Sequence, residues 1–251
     1  MSAFRCDLHI HSCLSPCADE EMTPGNIAGV AKLNGIDIAA LTDHNTSGNC
    51  KSFFAACEHY GVVAVAGMEL TTSEDLHAVC LFRNLSDATA FHTVVEDRRI
   101  RIKNKPEIFG RQILIDENDE PCGEEEFLLV NATTLSLEEA SLLCAKHRGV
   151  CIPAHIDREA NGMLAVLGGV PESPDFTTFE LRGAESLAAL EREHPVLRTK
   201  RAISSSDAHR LWEIAEPGFP IHLPCESGAD AQEVRDALID YLSSRRKGGF
   251  I

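Results

Sequence analysis

The chain has 251 residues, 44% of them hydrophobic and 25% charged, which is enough apolar material for one full core and leaves little room for long disordered tails. No apolar run reaches the roughly 18 residues of a membrane helix, and the opening MSAFRCDLHIH has neither a charged nor an apolar leader region, so a cytoplasmic protein with no membrane partner is expected. The formal net charge of -16 opposes the phosphate backbone of long nucleic acids but leaves room for a small anionic substrate, the more so if acidic side chains face divalent cations.

Short β-branched segments recur along the chain with helical patterns between them, the rhythm of a βα-repeating α/β fold. Strands are expected at 6–10, 36–41, 62–70 and 77–82, and then at 127–131, 150–154, 177–181 and 201–204. A helix over 24–34 follows Thr23 as cap with Pro24 in its first turn, and 50–60 is amphipathic. A third helix over 137–147 carries a capping box, Ser136 with Glu139, and a fourth over 230–245 closes the chain.

One stretch breaks the rhythm. Residues 108–121 (IFGRQILIDENDEP) read as a short strand and polar turn, a strand-containing insert near 105–125 that could serve as a flap or rim. The basic run Arg98, Arg99, Arg101, Lys103 and Lys105 before it reads as a solvated helix face, with an anion-binding rim as its functional alternative. Ten cysteines spread over a long chain are expected as reduced thiols. Cys13 and Cys17 lack a second pair at zinc-finger distance, so no separate structural zinc is expected.

The chemistry gathers where the strands give out. His9 and His11, two apart on one strand, turn both imidazoles to the same face, and Asp207 and His209 repeat that spacing after the last apolar strand. Asp43 and His44, Glu69 and His155 each follow or end a strand, and in a barrel of parallel strands such ends open onto one face. His77 begins its strand, but TTSED before it resembles a hairpin turn, and an antiparallel return would set His77 beside Glu69 and Thr71. Asp19 lies in the loop PCADEEMTP, where Glu20 and Glu21 compete with it as ligands. Six of the 11 histidines belong to this set; His59, His92, His147, His194 and His222 read as surface or core residues.

Taken in order, DLHIHS, LTDHN, GMEL, PAHIDR and SSDAH resemble the PHP family, named for polymerase and histidinol phosphatase domains, over Asp7 to His209. The resemblance implies a distorted (β/α)7 TIM-like barrel forming one domain over 1–251, with a trinuclear metal centre at its mouth. It assigns His9, His11, Glu69 and Asp207 to one ion, Glu69, His77 and His155 to a second, and Asp19, His44 and His209 to a third, with Asp43 behind the ligands. Many members have His where this chain has Asp19, so the identity of the two or three divalent ions stays open among zinc, iron and manganese.

The implied activity is hydrolysis of a phosphate ester by a metal-bound hydroxide. Arg158 resembles the family position that contacts substrate phosphate, and Arg182 and Arg210 are further candidates for binding it. The favoured substrate is a small phosphomonoester, a nucleotide or a histidinol-phosphate-like metabolite. A 3′-5′ exonuclease or phosphodiesterase on nucleic acid comes second, and a non-catalytic metal-binding accessory module third. Oligomeric state cannot be read from the pattern.

Overall fold

The computed structural model describes residues 1–215, 220–226 and 228–245, so the expected domain's last stretch, 246–251, lies outside the described residues. The chain begins with β1 (Ser2–Phe4) and β2 (Cys6–Ile10), followed by α1 (Pro24–Leu33), β3 (Ile38–Leu41), α2 (Cys50–Tyr60), β4 (Val63–Thr71) and β5 (His77–Phe82). Helices α3 (Leu85–Glu96) and α4 (Pro106–Phe109) lead into the insert strands β6 (Ile113–Ile115) and β7 (Pro121–Glu124). Next come α5 (Leu137–Lys146), β8 (Gly149–Pro153), α6 (Met163–Leu167), β9 (Thr178–Leu181) and α7 (Leu187–Glu193). Strands β10 (Arg201–Ser204) and β11 (Ile221–Leu223) and helix α8 (Ala231–Leu242) complete the order.

The main sheet runs β2-β3-β4-β5-β8. Its first three strands are parallel, whereas β5 is antiparallel to both β4 and β8. The reversal follows from the β4–β5 connection, which is too short for a crossover helix and closes as a turn, with the Thr72 N–H donating to the Leu76 carbonyl at 2.8 Å and Asp75 at φ 65°. Strands β9 and β10 pair parallel to each other, and a single bridge, Ile10 to Ala208, brings the chain after β10 back to β2. The class is mixed α/β. Among the described residues no sheet closes into a continuous barrel, because pairing lapses between β8 and β9 and thins to that one bridge at β2.

Alternation along the strands divides the core between the two sheet faces. Ala39 and Leu41 of β3, with Ala78, Cys80 and Phe82 of β5, pack with Ile27, Phe53, Phe91 and Ala140 on the helical layer. Ile38 and Ala40, with Val79 and Leu81, face the opposite way and pack with Ile203, Val234, Leu238 and Leu242. Each of the largest buried side chains contributes about 1.5–3 kcal/mol by leaving water, Phe53 and Phe91 among them. Helix starts are fixed by side chains. Ser136 and Glu139 form the expected capping box on α5, the Thr23 hydroxyl accepts from the Asn26 N–H on α1, and Asp230 accepts from the N–H groups of Gln232 and Glu233 on α8.

Several features differ from the sequence expectations. No strand forms over 127–131: Phe127 makes one isolated bridge to Lys103, and the carbonyls of Leu129 and Asn131 accept from the Asn45 side chain instead of from a neighbouring strand. The basic run is not a helix face. Arg99 is buried, pairing with Glu96 at 2.6 Å and the Phe127 carbonyl at 2.9 Å, while Arg101 and Lys103 pair with Glu96 and Glu126. Strands β1 and β11, antiparallel to each other, and helices α3, α6 and α7 were not among the expected elements.

The insert is strand-containing as expected, β6 and β7 being antiparallel. It buttresses the loop after β2: the Ile113 N–H donates to the Cys13 carbonyl at 2.9 Å, and Asp119 accepts from the Thr23 hydroxyl and the Gly25 N–H, both at 2.7 Å. No disulfide links the ten cysteines.

Candidate metal centre

The strand ends bring six imidazoles and two carboxylates into contact at one end of the main sheet. Glu69, near the end of β4 and almost fully buried, is the hub. Its Oε1 lies 3.3 Å from His9 Nε2, 2.8 Å from His77 Nδ1 and 3.1 Å from His155 Nε2. Its Oε2 lies 3.3 Å from His11 Nε2 and 3.1 Å from His44 Nδ1. Asp207 closes the other side, with Oδ1 3.3 Å from His9 Nε2 and 3.4 Å from His11 Nε2. His209 stacks on His11 with ring centroids 4.2 Å apart.

The antiparallel return delivers His77 as the turn pattern implied, since Thr71 and His77 are direct cross-strand partners. His155 and Asp207 both have positive φ, 27° and 52°, a backbone state that non-glycine residues seldom hold unless their surroundings fix it, and one that clusters at functional sites.

Three groups among the described residues could each hold an ion: His9, His11, Glu69 and Asp207; His44, Glu69 and His77; and His11, His44 and His209. The first has the membership that the resemblance implied. In the second His44 takes the place given to His155, although His155 Nε2 still touches Glu69. In the third His11 replaces Asp19, whose carboxylate is instead turned toward Arg210 at 3.6 Å.

Electrostatics follow from packing charge without water. Burial would raise the Glu69 pKa, but His77, His9 and His44 outweigh it and hold the carboxyl well below its ordinary range. Burial pulls His9 down, yet Glu180, Glu69 and Asp207 carry it well above the usual imidazole value, and His11 is likewise carried against burial to about 9 by Asp207 and Glu69. His44 is pushed well down, by burial first, and His209 to about 4, by burial and by His11. Imidazoles crowded around carboxylates in this way attract either protons or cations. Buried His44 Nδ1, His77 Nδ1 and Asp207 Oδ1 lie close to oppositely charged neighbours yet make no well-aligned hydrogen bond, an arrangement a cation between them would satisfy, so the donor set fits divalent metal.

The ligands are held from behind by residues that the motif reading passed over. Glu180 of β9 sits with Oε2 2.9 Å from His9 Nδ1 and accepts the His155 N–H at 3.2 Å. Its signal in the sequence was a carboxylate between Phe179 and Leu181 in an apolar strand. Ser15 Oγ lies 2.9 Å from His11 Nδ1 and donates to Asp43 Oδ1 at 2.7 Å, and Asp43 also accepts from the Ser12 N–H and hydroxyl. Among the described residues the hydrogen bonds of the Asp43 carboxylate all go to these two serines.

Beside the cluster lies an open cavity of about 640 Å³. His155, Glu180, Asp207 and His209 line it, together with Cys17 and all three candidate arginines, Arg158, Arg182 and Arg210. Arg158 Nη1 lies 3.3 Å from Asp207 Oδ2. Its loop is tightly set, for a Cβ on Gly162 would come 2.2 Å from the Arg158 carbonyl oxygen.

Residues 7–159, more than half of the chain, match the PHP domain family. The chain belongs to this family. An uncharacterized protein of Methanocaldococcus jannaschii is 36% identical to this PHP chain over 78 residues, covering 28% of it and 46% of that protein. Among solved structures, the lesion-specific endonuclease of Pyrococcus furiosus is similar in fold with TM-score 0.64 and 19% identity, over 98% of this chain and 57% of that one. The present chain therefore spans about half the length of these two relatives. A protein from Bifidobacterium adolescentis described as a metal-dependent phosphoesterase matches with TM-score 0.55 and 17% identity over 93% and 95% of the two chains. An amidohydrolase from Chromobacterium violaceum with bound sulfate matches with TM-score 0.54 and 20% identity over 92% and 96%. No helix among the described residues is long and apolar enough to cross a membrane.

Proposed function

We propose that this PHP domain is a metal-dependent phosphatase that releases phosphate from a small phosphomonoester. The observation that carries the reading is the junction of two chemistries in one cavity: His155, Asp207 and His209 of the ligand cluster share its wall with Arg158, Arg182 and Arg210. A site with cation ligands on one side and guanidinium groups on the other suits a doubly charged anion.

In this reading the strands form a distorted (β/α)7 arrangement, a single domain whose mouth holds two or three zinc, iron or manganese ions. His9, His11, Glu69 and Asp207 hold one, and Glu69, His44 and His77, with His155, a second. His11, His44 and His209 hold a third, with Asp19 available at its edge. Such ions supply an activated water and neutralise charge on the phosphoryl group. Glu180 and Ser15 fix the faces that His9 and His11 present, and Asp43 fixes Ser12 and Ser15. Arg158 binds a non-bridging phosphate oxygen, exchanging its contact with Asp207 for one with substrate. Arg182, whose N–H is anchored on Asp157 at 3.1 Å, and Arg210 receive the remaining charge.

The net charge of -16 favours a small substrate over a nucleic acid. One protein of similar fold is an endonuclease, so the nucleic-acid reading is carried as an arm of the test. The test is phosphate release from a panel of phosphomonoesters, with a phosphodiester oligonucleotide alongside and every assay repeated after chelation. The expected result is chelator-sensitive release from a monoester. Cleavage of the oligonucleotide alone would replace this reading with the nuclease one, and background release throughout would favour a metal-binding module without turnover.

A further inference from the structure

The chain has a single tryptophan, Trp212, and it is 74% exposed, although tryptophan is on average among the highly buried residue types. Its placement is fixed. Arg210 and Glu213 bracket the short turn that carries it: the N–H groups of His209 and Arg210 donate to Glu213 Oε2 at 2.9 and 3.0 Å, and Arg210 Nη1 donates to Glu213 Oε1 at 3.2 Å. On either side Leu211 packs against the core and Ile214 is buried, its carbonyl accepting from the Asn34 amide. A turn anchored on both flanks thus holds a large aromatic face in water.

The position matters because Arg210 joins two environments. Arg210 lines the 640 Å³ cavity together with Asp207 and His209, and its Cζ lies 5.8 Å from the centroid of the Trp212 ring. A phosphate held by Arg158, beside the ions that Asp207 and His209 would hold, leaves the organic part of the ester free to extend past Arg210 toward the indole. An exposed indole beside a guanidinium is a surface on which a planar heteroaromatic ring stacks.

We infer that Trp212 is the specificity platform of the site and that the ester it selects is a nucleoside monophosphate, the base stacking on the indole while the phosphate occupies the arginine-lined cavity. This rests on the phosphomonoester reading for the position of the phosphate, but the stacking can be measured without turnover.

Because the chain has one tryptophan, its fluorescence reports on this residue alone. The metal-loaded protein is titrated with a purine nucleoside monophosphate and, separately, with ribose 5-phosphate, which has the sugar and phosphate but no base. Saturable quenching by the nucleotide and none by ribose 5-phosphate is expected. Calorimetry of Trp212→Ala should then show the preference for nucleotide over ribose 5-phosphate falling about 10- to 100-fold, with Trp212→Phe keeping most of it. Quenching by a nucleotide that is not hydrolysed would uphold the platform while removing the phosphatase reading. Absence of quenching up to millimolar nucleotide, or an unchanged preference in Trp212→Ala, would overturn the inference even if phosphate release from other esters is intact.

Discussion

His9 and Glu180 stand 171 residues apart in the chain, yet His9 Nδ1 and Glu180 Oε2 lie 2.9 Å apart inside the protein. With Nδ1 engaged, Nε2 is the nitrogen that faces Glu69 and Asp207. A carboxylate in this position sets the tautomer and orientation of a ligating imidazole. Glu180→Gln should therefore lower metal affinity and turnover by about 10- to 100-fold while the protein stays folded. Metal titration of the stripped variant, with circular dichroism as the control for folding, checks it; wild-type affinity would remove Glu180 from the site.

Arg158 should separate binding from metal loading. It touches Asp207 through one contact and otherwise faces the cavity, so Arg158→Ala should keep its ions and raise the KM for a phosphomonoester by about 10-fold or more, the usual scale for a lost hydrogen bond to a charged group. Elemental analysis and initial rates on the same preparation decide this. Lost metal with unchanged KM would make Arg158 a structural residue.

Gly162 tests the same loop from the backbone. A methyl group there would meet the Arg158 carbonyl at 2.2 Å, so Gly162→Ala must displace the loop. Its expected signature is a raised KM like that of Arg158→Ala, with metal content retained. Unaltered kinetics would show that the loop position does not govern substrate binding.

Away from the site, the α5 cap was readable from spacing alone, and Ser136→Ala should cost about 1 kcal/mol of stability, seen as a lower urea midpoint with turnover unaffected. An unchanged midpoint would mean that the capping box contributes nothing measurable.

Asp175 offers a pH dependence with a defined sign. The buried Lys200 ammonium donates to it at 2.9 Å, and Lys200 and Arg245 hold its carboxyl below the ordinary 3.8. A carboxyl whose folded pKa is depressed stabilises the fold above its unfolded pKa and loses that contribution as pH falls through the folded value. The gap in melting temperature between wild type and Asp175→Asn should accordingly persist at neutral pH and narrow below about pH 4. A gap that widened on acidification would contradict the pairing.

Much of the site was legible because most of the candidate ligands stand at strand ends and strands announce themselves by apolar runs. His77 was the demanding case, and the polar turn before it revealed the reversal of β5. Glu180 escaped because a lone carboxylate in an apolar strand has no motif to mark it, whereas Asp19 stands at a clear motif position with its carboxylate 3.6 Å from Arg210. The segment 127–131 has strand-like composition, but its Leu129 and Asn131 carbonyls are taken by Asn45 and its Phe127 carbonyl by Arg99 and Gln112, long-range partners that local pattern cannot show. Barrel closure depends on pairing between distant edges and is equally invisible in local periodicity.

If imidazoles and carboxylates from opposite ends of the chain hold divalent cations that drive ester hydrolysis, metal and turnover must rise and fall together. Elemental analysis of purified wild type and Asp207→Ala, with phosphate release measured on the same samples before and after chelation, tests it most directly. At least two ions per wild-type chain are expected, fewer in the variant, with activity that disappears with the metal and returns on its restoration. Full turnover in metal-stripped protein, or equal metal content and activity in Asp207→Ala, would contradict it.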